Sequence, residues 1–548
     1  MRLGLHPQCA FPARFAWLAA ALETAGDAIP RVPCPALDAW RADLGPVAGV
    51  SLIFPEAYMN NPASMFGHTL LRLDRAPPDA HEDRRDLLAY AVNFAADTGD
   101  DGGALFAVKG LTGLYPGTFS LWPYYAKVQQ YGDWERRDIW EYRLALTPGE
   151  IERLLLYVFE LRQVRFDYFF FDENCSYQLL GLLEVARPGL ALRDRFHGWA
   201  IPADTVRAVL AETGLTAEPT WRPSAATRIA ARARALPSGA RRLARELASG
   251  ARPPGDPAVA ALPADERASL LLLAYDLLRL DARAETAAAD GPRSLALLRA
   301  RRATGVRGDP VPGARRPRVS PDAGHPPARV RVGAGVRGER AFVELRARPA
   351  FHDLLDPPGG YLPGAEIDFL DVALRYHPAH GDLDLHALTL LEIVSLAPRD
   401  GLFRPVSWRV RTGLTSRLVP RSGGGQGDAW FWDLAGGAGL AAPLGERALA
   451  YAFAEAQAES SPHLSPAFAI GPGASLGLLF GGAGDRWRAH LRARAVHLAL
   501  GDPHSAFTLA LEQSVRLAPR VALELHVAGE RDFGRSWLET GLFLRRWF

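Results

Sequence analysis

The sequence predicts an N-terminal α+β domain, a small α-helical region and a C-terminal antiparallel transmembrane β-barrel of about twelve strands. Two observations carry this prediction. Short strand-like runs and amphipathic helices alternate in residues 1–222, and helical spacing dominates from 223 to 305. From residue 329 to the C-terminus, apolar residues recur at every second position, which is the period of a β-strand with one apolar face.

Composition sets the expected boundaries. We expect the α+β domain at 1–222, the helical region at 223–305, a linker at 306–328 and the barrel at 329–548. The linker is expected because the composition changes there to proline, glycine and arginine. The 63 Lys+Arg and 61 Asp+Glu residues nearly balance, so the charge pattern does not indicate a nucleic-acid partner.

The barrel prediction depends on the charges that the alternating strands carry. One face carries Arg488, Arg492, Arg494, Glu524 and His526, and the opposite face carries Leu491, Leu523, Leu525 and Val527. Burying these charges in a dry core would cost several kcal/mol for each unpaired ion, whereas a watery barrel lumen accommodates them. The terminal Trp547-Phe548 resembles the C-terminal signal of outer-membrane barrels, but the stretch Pro349–Gly364 is unusual for a periplasmic turn.

Cys175 is the first candidate for chemistry. It lies between an aromatic run, Phe169–Phe171, expected to form a buried strand or tight core segment, and a helix expected from Ser176 onward. In the first turn of a helix, the amide N–H groups and the helix dipole favour the thiolate, which is the nucleophilic form of cysteine. The same amides are candidates to stabilise an oxyanion. The alternative is a small buried thiol that fills a gap in the core.

His68 is the candidate base. It follows a turn with Pro62 and Gly67 and begins an alternating strand. A thiol enzyme needs an imidazole that accepts the thiol proton and returns it to a leaving group, although a lone histidine at a strand start is more often structural. Asn93 lies in the next strand-like run, Leu87–Ala95, where it either holds the ring or is an exposed strand-edge amide.

Three motifs carry a resemblance to a known family. They are NPASMFGHT at Asn61–Thr69, AYAVNF at Ala89–Phe94 and DENCSY at Asp172–Tyr177. Together they resemble the N-terminal periplasmic domain of the Lnb-type lipoprotein N-acyltransferases, over roughly residues 1 to 220. The order of histidine before cysteine is also similar to the circularly permuted papain-like group, which includes lecithin:retinol acyltransferase and relatives of the NlpC-type cell-wall peptidases.

The resemblance implies an α+β permuted papain-like domain with Cys175 and His68 as the catalytic pair and, by analogy, Asn93 as the third member. It implies transfer of an acyl chain from a phospholipid to an amine, the N-terminus of a lipoprotein, with membrane lipids as further partners. We expect no cofactor and no metal, because the ligand clusters that zinc requires are not evident in the sequence. An NlpC-like peptidoglycan hydrolase and a non-enzymatic outer-membrane binding protein remain as alternatives.

A loop rich in glycine and aromatic residues is expected at Gly110–Gly117 and Trp122–Tyr125. Its side chains either line a cleft or pack as an ordinary surface loop. An apolar slot formed by Tyr115, Trp122 and Tyr124 would favour acyl chains, whereas a charged groove would favour peptides.

The other two cysteines help to predict the cellular compartment of the protein. Cys9 and Cys34 are expected to pair in an oxidising compartment, which leaves Cys175 free. The first residues lack the long apolar segment of a signal peptide, so either the protein is cytoplasmic or its natural start lies upstream of Met1. The barrel pattern favours the second explanation, and we expect an outer-membrane protein of a Gram-negative bacterium with a periplasmic N-terminal domain.

Overall fold

The computed structural model describes residues 6–24, 29–60, 64–75, 88–99, 101, 109–216, 218–281, 287–309, 313–400, 402–420, 426–481 and 486–548. Within it the chain divides into two compact units, Met1–Pro317 and Arg318–Phe548. Residues 61–63 of the first motif and Leu87 of the expected strand lie outside the described residues.

An antiparallel sheet forms the centre of the first unit. Its strands are β1 Val47–Pro55, β2 Leu70–Arg75, β3 Tyr90–Ala96, β4 Tyr115–Pro123, β5 Ile139–Leu144, β6 Arg165–Tyr168 and β7 Thr220–Arg222, paired in the order β6-β4-β3-β2-β1-β5-β7. The expected loop therefore contains a strand, β4, which pairs with β3 and β6. Gly117 permits this close packing, since a Cβ there would lie 2.3 Å from the Phe94 ring.

Helices pack against this sheet or against the helices that cover it. They are α1 Pro7–Ala10, α2 Pro12–Thr24, α3 Pro35–Leu44, α4 Tyr124–Val128, α5 Pro148–Leu161, α6 Cys175–Ala186 and α7 Pro202–Leu210, with a π-helical turn at Gln129–Trp134 and a 3-10 turn at Arg193–Arg195. Thr147 begins α5 with a reciprocal cap, because its hydroxyl accepts from the Glu150 N–H and its own N–H donates to the Glu150 carboxylate. Buried leucines of α5 and α6, including Leu154 and Leu182, complete the core.

A disulfide joins Cys9 to Cys34. It attaches α1 to Cys34, the residue just before α3. Trp40 of α3 in turn packs edge-on against Phe159 of α5, with the ring centroids 5.4 Å apart. The disulfide and this ring contact thus connect the N-terminal helices to α5, which packs against the sheet.

The remaining helices of this unit are α8 Ala225–Ala235, α9 Ser238–Ser249, α10 Pro257–Ala260, α11 Ala264–Asp281 and α12 Ala287–Ala303. Asp138 connects α8 to the sheet, because its carboxylate accepts from the Ser224 N–H at 2.8 Å and the Thr227 hydroxyl at 2.7 Å. In the described parts of the chain, the helices are too short or too polar to cross a membrane.

The second unit is a closed antiparallel β-barrel of twelve strands, as the sequence predicts. Its strands are β8 Arg329–Arg337, β9 Arg340–Arg348, β11 Ala365–His377, β12 Asp382–Ser395, β13 Ser407–Pro420, β14 Gln426–Pro443, β15 Ala448–Ser460, β16 Phe468–Gly481, β17 Trp487–Leu498, β19 His504–Ala518, β20 Val521–Asp532 and β21 Arg535–Trp547. Pairing of β21 with β8 and of β9 with β11 closes the cylinder. Two short strands, β10 Ala350–His352 and β18 Leu500–Gly501, pair with β11 and β16, and a 3-10 turn occupies Pro321–Ala323.

The two faces of the barrel differ as the alternation predicts. Leu523 and Leu525 of β20 are exposed on the outer face, whereas Glu524 between them is buried in the lumen. There Glu524 accepts from Arg331 at 2.6 Å and pairs with Arg545 at 3.0 Å. The charges of these three lumen residues are therefore paired with one another, which offsets the cost of removing them from water.

The segment Pro349–Gly364 folds into the barrel and is not a simple turn. Leu354 packs in an apolar cluster with residues of β12, β14, β15 and β16. Asp356 is fully buried and accepts from Arg348 at 2.6 Å and from the Trp547 indole at 3.1 Å. Glycine is needed at two positions of this segment, because Gly360 and Gly364 have φ values of +83° and +77° and a Cβ at either would lie within 2.7 Å of a carbonyl oxygen.

We predict that Asp356→Asn destabilises the barrel by about 3 to 5 kcal/mol, because it leaves buried guanidinium groups without their counter-ion. Guanidinium-induced unfolding in detergent, followed by the gel mobility of the folded barrel, measures the loss. The matched control is Asp382→Asn, at an exposed position where β12 begins, with an expected change within about 0.5 kcal/mol. Equal stabilities of the two variants would contradict the role of Asp356.

Candidate active site

A glycine turn places His68 at the start of β2. Gly67 has a φ of +94°, and a Cβ there would lie 2.6 Å from the Phe54 ring, so only glycine fits. The His68 N–H donates to the Pro55 carbonyl at 3.3 Å, which holds the turn against β1. The imidazole is buried as a result.

Asn93 holds the His68 ring. Its Oδ1 lies 2.7 Å from His68 Nε2, and both side chains are buried. An amide oxygen only accepts hydrogen bonds, so Nε2 donates to it, and Nδ1 is the ring nitrogen left to face the thiol. Asn93 is thus in the buried middle of β3, paired with Ser120 of β4, and is not an exposed strand-edge amide.

Cys175 is the first residue of α6, and Asn174 caps this helix. The Asn174 Oδ1 accepts from the N–H groups of Ser176 at 3.0 Å and Tyr177 at 3.3 Å. The same side chain donates to the Ala200 carbonyl at 2.6 Å, which anchors the helix start to the loop before α7. These two amides of the first helical turn are therefore occupied by the cap.

The pKa of the Cys175 thiol is lowered. Burial alone would raise this pKa, since only 2% of Cys175 is exposed, but His68 lowers it through its charge and through a hydrogen bond. The Thr69 N–H and the Tyr168 hydroxyl donate hydrogen bonds to the sulfur and lower the pKa further. The structure thus brings together Cys175, His68 and Asn93, the residues that the sequence singles out.

Tyr168 is a site residue that the sequence reasoning missed. Its hydroxyl oxygen accepts from the Cys175 N–H at 3.3 Å, and its ring stacks on Phe94 at 5.6 Å. Burial and the charge of Cys175 raise the pKa of Tyr168 well above its usual range, so the hydroxyl remains a donor. The available signal was a tyrosine at the end of a strand, seven residues before the cysteine.

The aromatic run Phe169–Phe171 is not a strand, because β6 ends at Tyr168 and the chain bends after it. The Phe170 N–H donates to the Gly110 carbonyl at 2.9 Å, so the run packs on the loop before β4. Its residues are half-buried. The ring of Phe171 contacts Phe66, two residues before His68, at 5.2 Å.

The expected apolar slot is not formed by the three residues named for it. Tyr115 and Tyr124 are buried, and their hydroxyls donate to the carboxylates of Asp101 at 2.9 Å and Glu141 at 2.8 Å. They pack inside the unit because these carboxylates satisfy their hydroxyls there. Of the three, only Trp122 is exposed.

In the parts of the chain that the structure describes, one group of side chains has metal-ligand spacing: His325, His352 and Asp356, in the second unit. His325 Nε2 lies 2.9 Å from His352 Nδ1, and Tyr361 stacks on both rings at 4.3 Å. Because Asp356 already accepts from Arg348, a cation would have to compete with a guanidinium for its only carboxylate. The group fits a hydrogen-bonded histidine pair and is a poor metal site.

Comparison with protein families divides the chain in three. Residues 36–212 match the model of the Lnb N-terminal periplasmic domain. Residues 219–312 and 318–547 match two domains of unknown function, DUF7842 and DUF7840. No curated protein matches the chain.

Solved structures similar to the chain are outer-membrane proteins. They include a loop-deletion mutant of OmpT from Vibrio cholerae, with 10% identity, 40% of this chain and 97% of that chain covered, and a TM-score of 0.23. The KdgM porin has 8% identity, 40% and 99% coverage and a TM-score of 0.23. An outer-membrane channel from Pseudomonas putida F1 has 10% identity, 41% and 96% coverage and a TM-score of 0.27.

The strand pairing and the two faces of the barrel, together with the periplasmic family of residues 36–212, place the protein in the outer membrane with its N-terminal unit in the periplasm. In this chain, an Lnb-type N-terminal periplasmic domain is joined to a closed twelve-stranded outer-membrane barrel.

Proposed function

We propose that the N-terminal unit is a thiol acyltransferase with a permuted papain-like arrangement, which moves an acyl chain from a phospholipid to an amine, the N-terminus of a lipoprotein. The observation that carries the proposal is the contact of His68 with both Asn93 and Cys175. One ring nitrogen is held by the amide oxygen at 2.7 Å, and the histidine lowers the pKa of the thiol. This combination supplies a nucleophile together with an acid that returns its proton.

In the first step the Cys175 thiolate attacks the acyl ester carbonyl of the phospholipid. A carbon–sulfur bond forms and the ester carbon–oxygen bond breaks. The departing lysophospholipid oxygen takes the proton from His68, which leaves an acyl-thioester and a neutral imidazole. We assign two donors beside the sulfur to the oxyanion. The Cys175 N–H would exchange the Tyr168 hydroxyl oxygen for it, and the Tyr168 hydroxyl would turn to it from the sulfur once the sulfur is acylated.

In the second step the acceptor amine attacks the thioester carbonyl. A carbon–nitrogen bond forms, the carbon–sulfur bond breaks, and His68 takes the proton that the amine loses. The thiolate–imidazolium pair is restored without any further reactant. The cycle therefore needs no group beyond the thiol, the imidazole and their hydrogen-bond partners.

We expect incubation of the full-length protein with phospholipid to give a covalent adduct, in which one acyl group replaces one hydrogen. Intact-mass analysis detects it, and a lipoprotein-derived peptide with a free N-terminal amine should remove it. Cys175→Ala should give no adduct. Absence of the adduct from the wild type, or its persistence in Cys175→Ala, would contradict the proposal.

A parallel incubation with peptidoglycan separates the alternatives. Release of muropeptide fragments by the wild type, lost in Cys175→Ala, would instead support a peptidoglycan hydrolase with the same residues. Neither adduct nor fragments, from a correctly folded protein, would support a non-enzymatic binding protein.

We expect Asn93→Ala to slow acyl-enzyme formation by about one to two orders of magnitude, because the free ring no longer presents Nδ1 to the sulfur. Asn93→Asp keeps an oxygen acceptor for Nε2 and should retain more of the rate. Single-turnover kinetics by intact mass measure both variants. Equal losses in Asn93→Ala and Asn93→Asp would show that the side chain does not act by holding the ring.

A further inference from the structure

Lys127 is chemically unusual in this chain. Of the 63 Lys and Arg residues, only Lys109 and Lys127 are lysines, and both belong to the N-terminal unit. Lysine differs from arginine in carrying a compact charge with three donors that turn freely, which suits a single anionic oxygen. The composition therefore draws attention to two positions, and their surroundings distinguish them.

The surroundings of Lys127 are mainly aromatic. This residue lies half-buried in α4, with Nζ 5.4 Å from the Trp122 ring and 5.6 Å from the Tyr131 ring. Nζ donates to the Gln130 Oε1 at 3.0 Å. Two ring faces and one amide oxygen stabilise the ammonium, but none of them neutralises it.

Lys127 also has no carboxylate partner within the described part of the chain. Glu135, which acts on it from a distance, is engaged by Arg137 at 2.8 Å and by the Gln130 amide at 3.0 Å. Burial lowers the pKa of Lys127, and the charge of Glu135 opposes this only in part. In contrast, Lys109 has its counter-ion, Asp101, at 2.6 Å.

This uncompensated cation is close to the candidate site. The Tyr131 ring, against which Lys127 packs, is 5.9 Å from the His68 ring. On the other side, the Trp122 indole donates to the Ser120 hydroxyl at 3.1 Å, and that hydroxyl donates to the Asn93 carbonyl at 3.3 Å. Lys127 is thus connected to His68 through one ring and to Asn93 through one short chain of contacts.

One aromatic neighbour of Lys127 is also exposed. The Trp122 ring, 5.4 Å from Nζ, is 49% exposed. Aromatic side chains with a polar tip favour the boundary between lipid and water. A ligand that satisfies both features carries an anionic group next to an apolar part.

We propose that Lys127 binds the phosphate of the phospholipid donor, with Trp122 against the adjoining apolar part of the lipid. This inference rests on the proposed function for the choice of donor, but it concerns a separate binding subsite. In a glycerophospholipid the phosphate and the acyl ester share one glycerol backbone. Binding of the phosphate beside His68 therefore brings the ester toward Cys175.

The test measures binding without chemistry, in the full chain carrying Cys175→Ala in neutral detergent. Its probes are a short-chain phosphatidylglycerol, the diacylglycerol with the same acyl chains, and inorganic phosphate. We expect Lys127→Gln to weaken binding of the phosphatidylglycerol by about tenfold, the effect of losing one charged hydrogen bond, and to leave the diacylglycerol unchanged. Lys109→Gln is the matched control and should bind both lipids as the parent does.

Equal weakening of both lipids by Lys127→Gln would overturn the proposal, since it would indicate a structural role, and so would unchanged binding of the phosphatidylglycerol. Binding of inorganic phosphate as tight as that of the lipid would overturn the lipid assignment in favour of a free-anion site. A lysine-dependent preference in a protein that forms no acyl adduct would leave the subsite standing and refute the transfer. An acyl adduct in a protein without this preference would support the transfer and refute the subsite.

Discussion

The candidate site depends on the ionisation of one buried thiol. Burial disfavours the thiolate, and only a nearby cation or hydrogen-bond donors reverse this effect. Here His68 supplies the charge, and Thr69 and Tyr168 supply donors, so the pKa of Cys175 falls below its ordinary value. The Gly67 turn, the buried amide of Asn93 and the Asn174 cap all serve to keep this imidazole and this sulfur in contact.

The barrel must likewise stabilise buried charges, and it contains many of them. Its strands turn arginine and acidic side chains into the lumen, where pairs such as Arg375 with Glu539, at 2.6 Å, neutralise each other. The segment Pro349–Gly364 adds carboxylates to this lumen at the end where β8 begins and β21 ends. The same principle therefore applies to the Cys175–His68 pair and to the lumen: a fully buried charge is stabilised by an opposite charge beside it.

The barrel and the pair of Cys175 and His68 were predictable from the sequence because each depends on local pattern. Alternation with a period of two determines which face of a strand is charged. A turn before a strand, or a cap before a helix, is determined by neighbouring residues. The disulfide between Cys9 and Cys34 was predictable because these two cysteines lie together in the N-terminal region, apart from Cys175. The strand count followed from the same alternation, since each run crosses the barrel once.

The features that the sequence did not reveal depend on contacts between distant segments. Tyr168 lies at the end of β6, which is held in the sheet by its pairing with β4. The glycine-rich composition of β4 had predicted a loop there. Tyr115 and Tyr124 were expected at a cleft, but carboxylates from other segments draw their hydroxyls into the core. The inward fold of Pro349–Gly364 requires the arginines of β8, β9 and β21, which no local pattern connects to it.

The most direct test of the thiolate–imidazolium pair is a spectroscopic titration of Cys175. The far-ultraviolet absorbance of the thiolate is followed against pH as the difference between the wild type and Cys175→Ser, since the other two cysteines form a disulfide. We expect a midpoint below the ordinary cysteine value of 9.0, and a shift to higher pH in His68→Ala, where burial still raises the pKa but the histidine no longer lowers it. A wild-type midpoint at or above 9.0, or a midpoint that His68→Ala leaves in place, would contradict the pair.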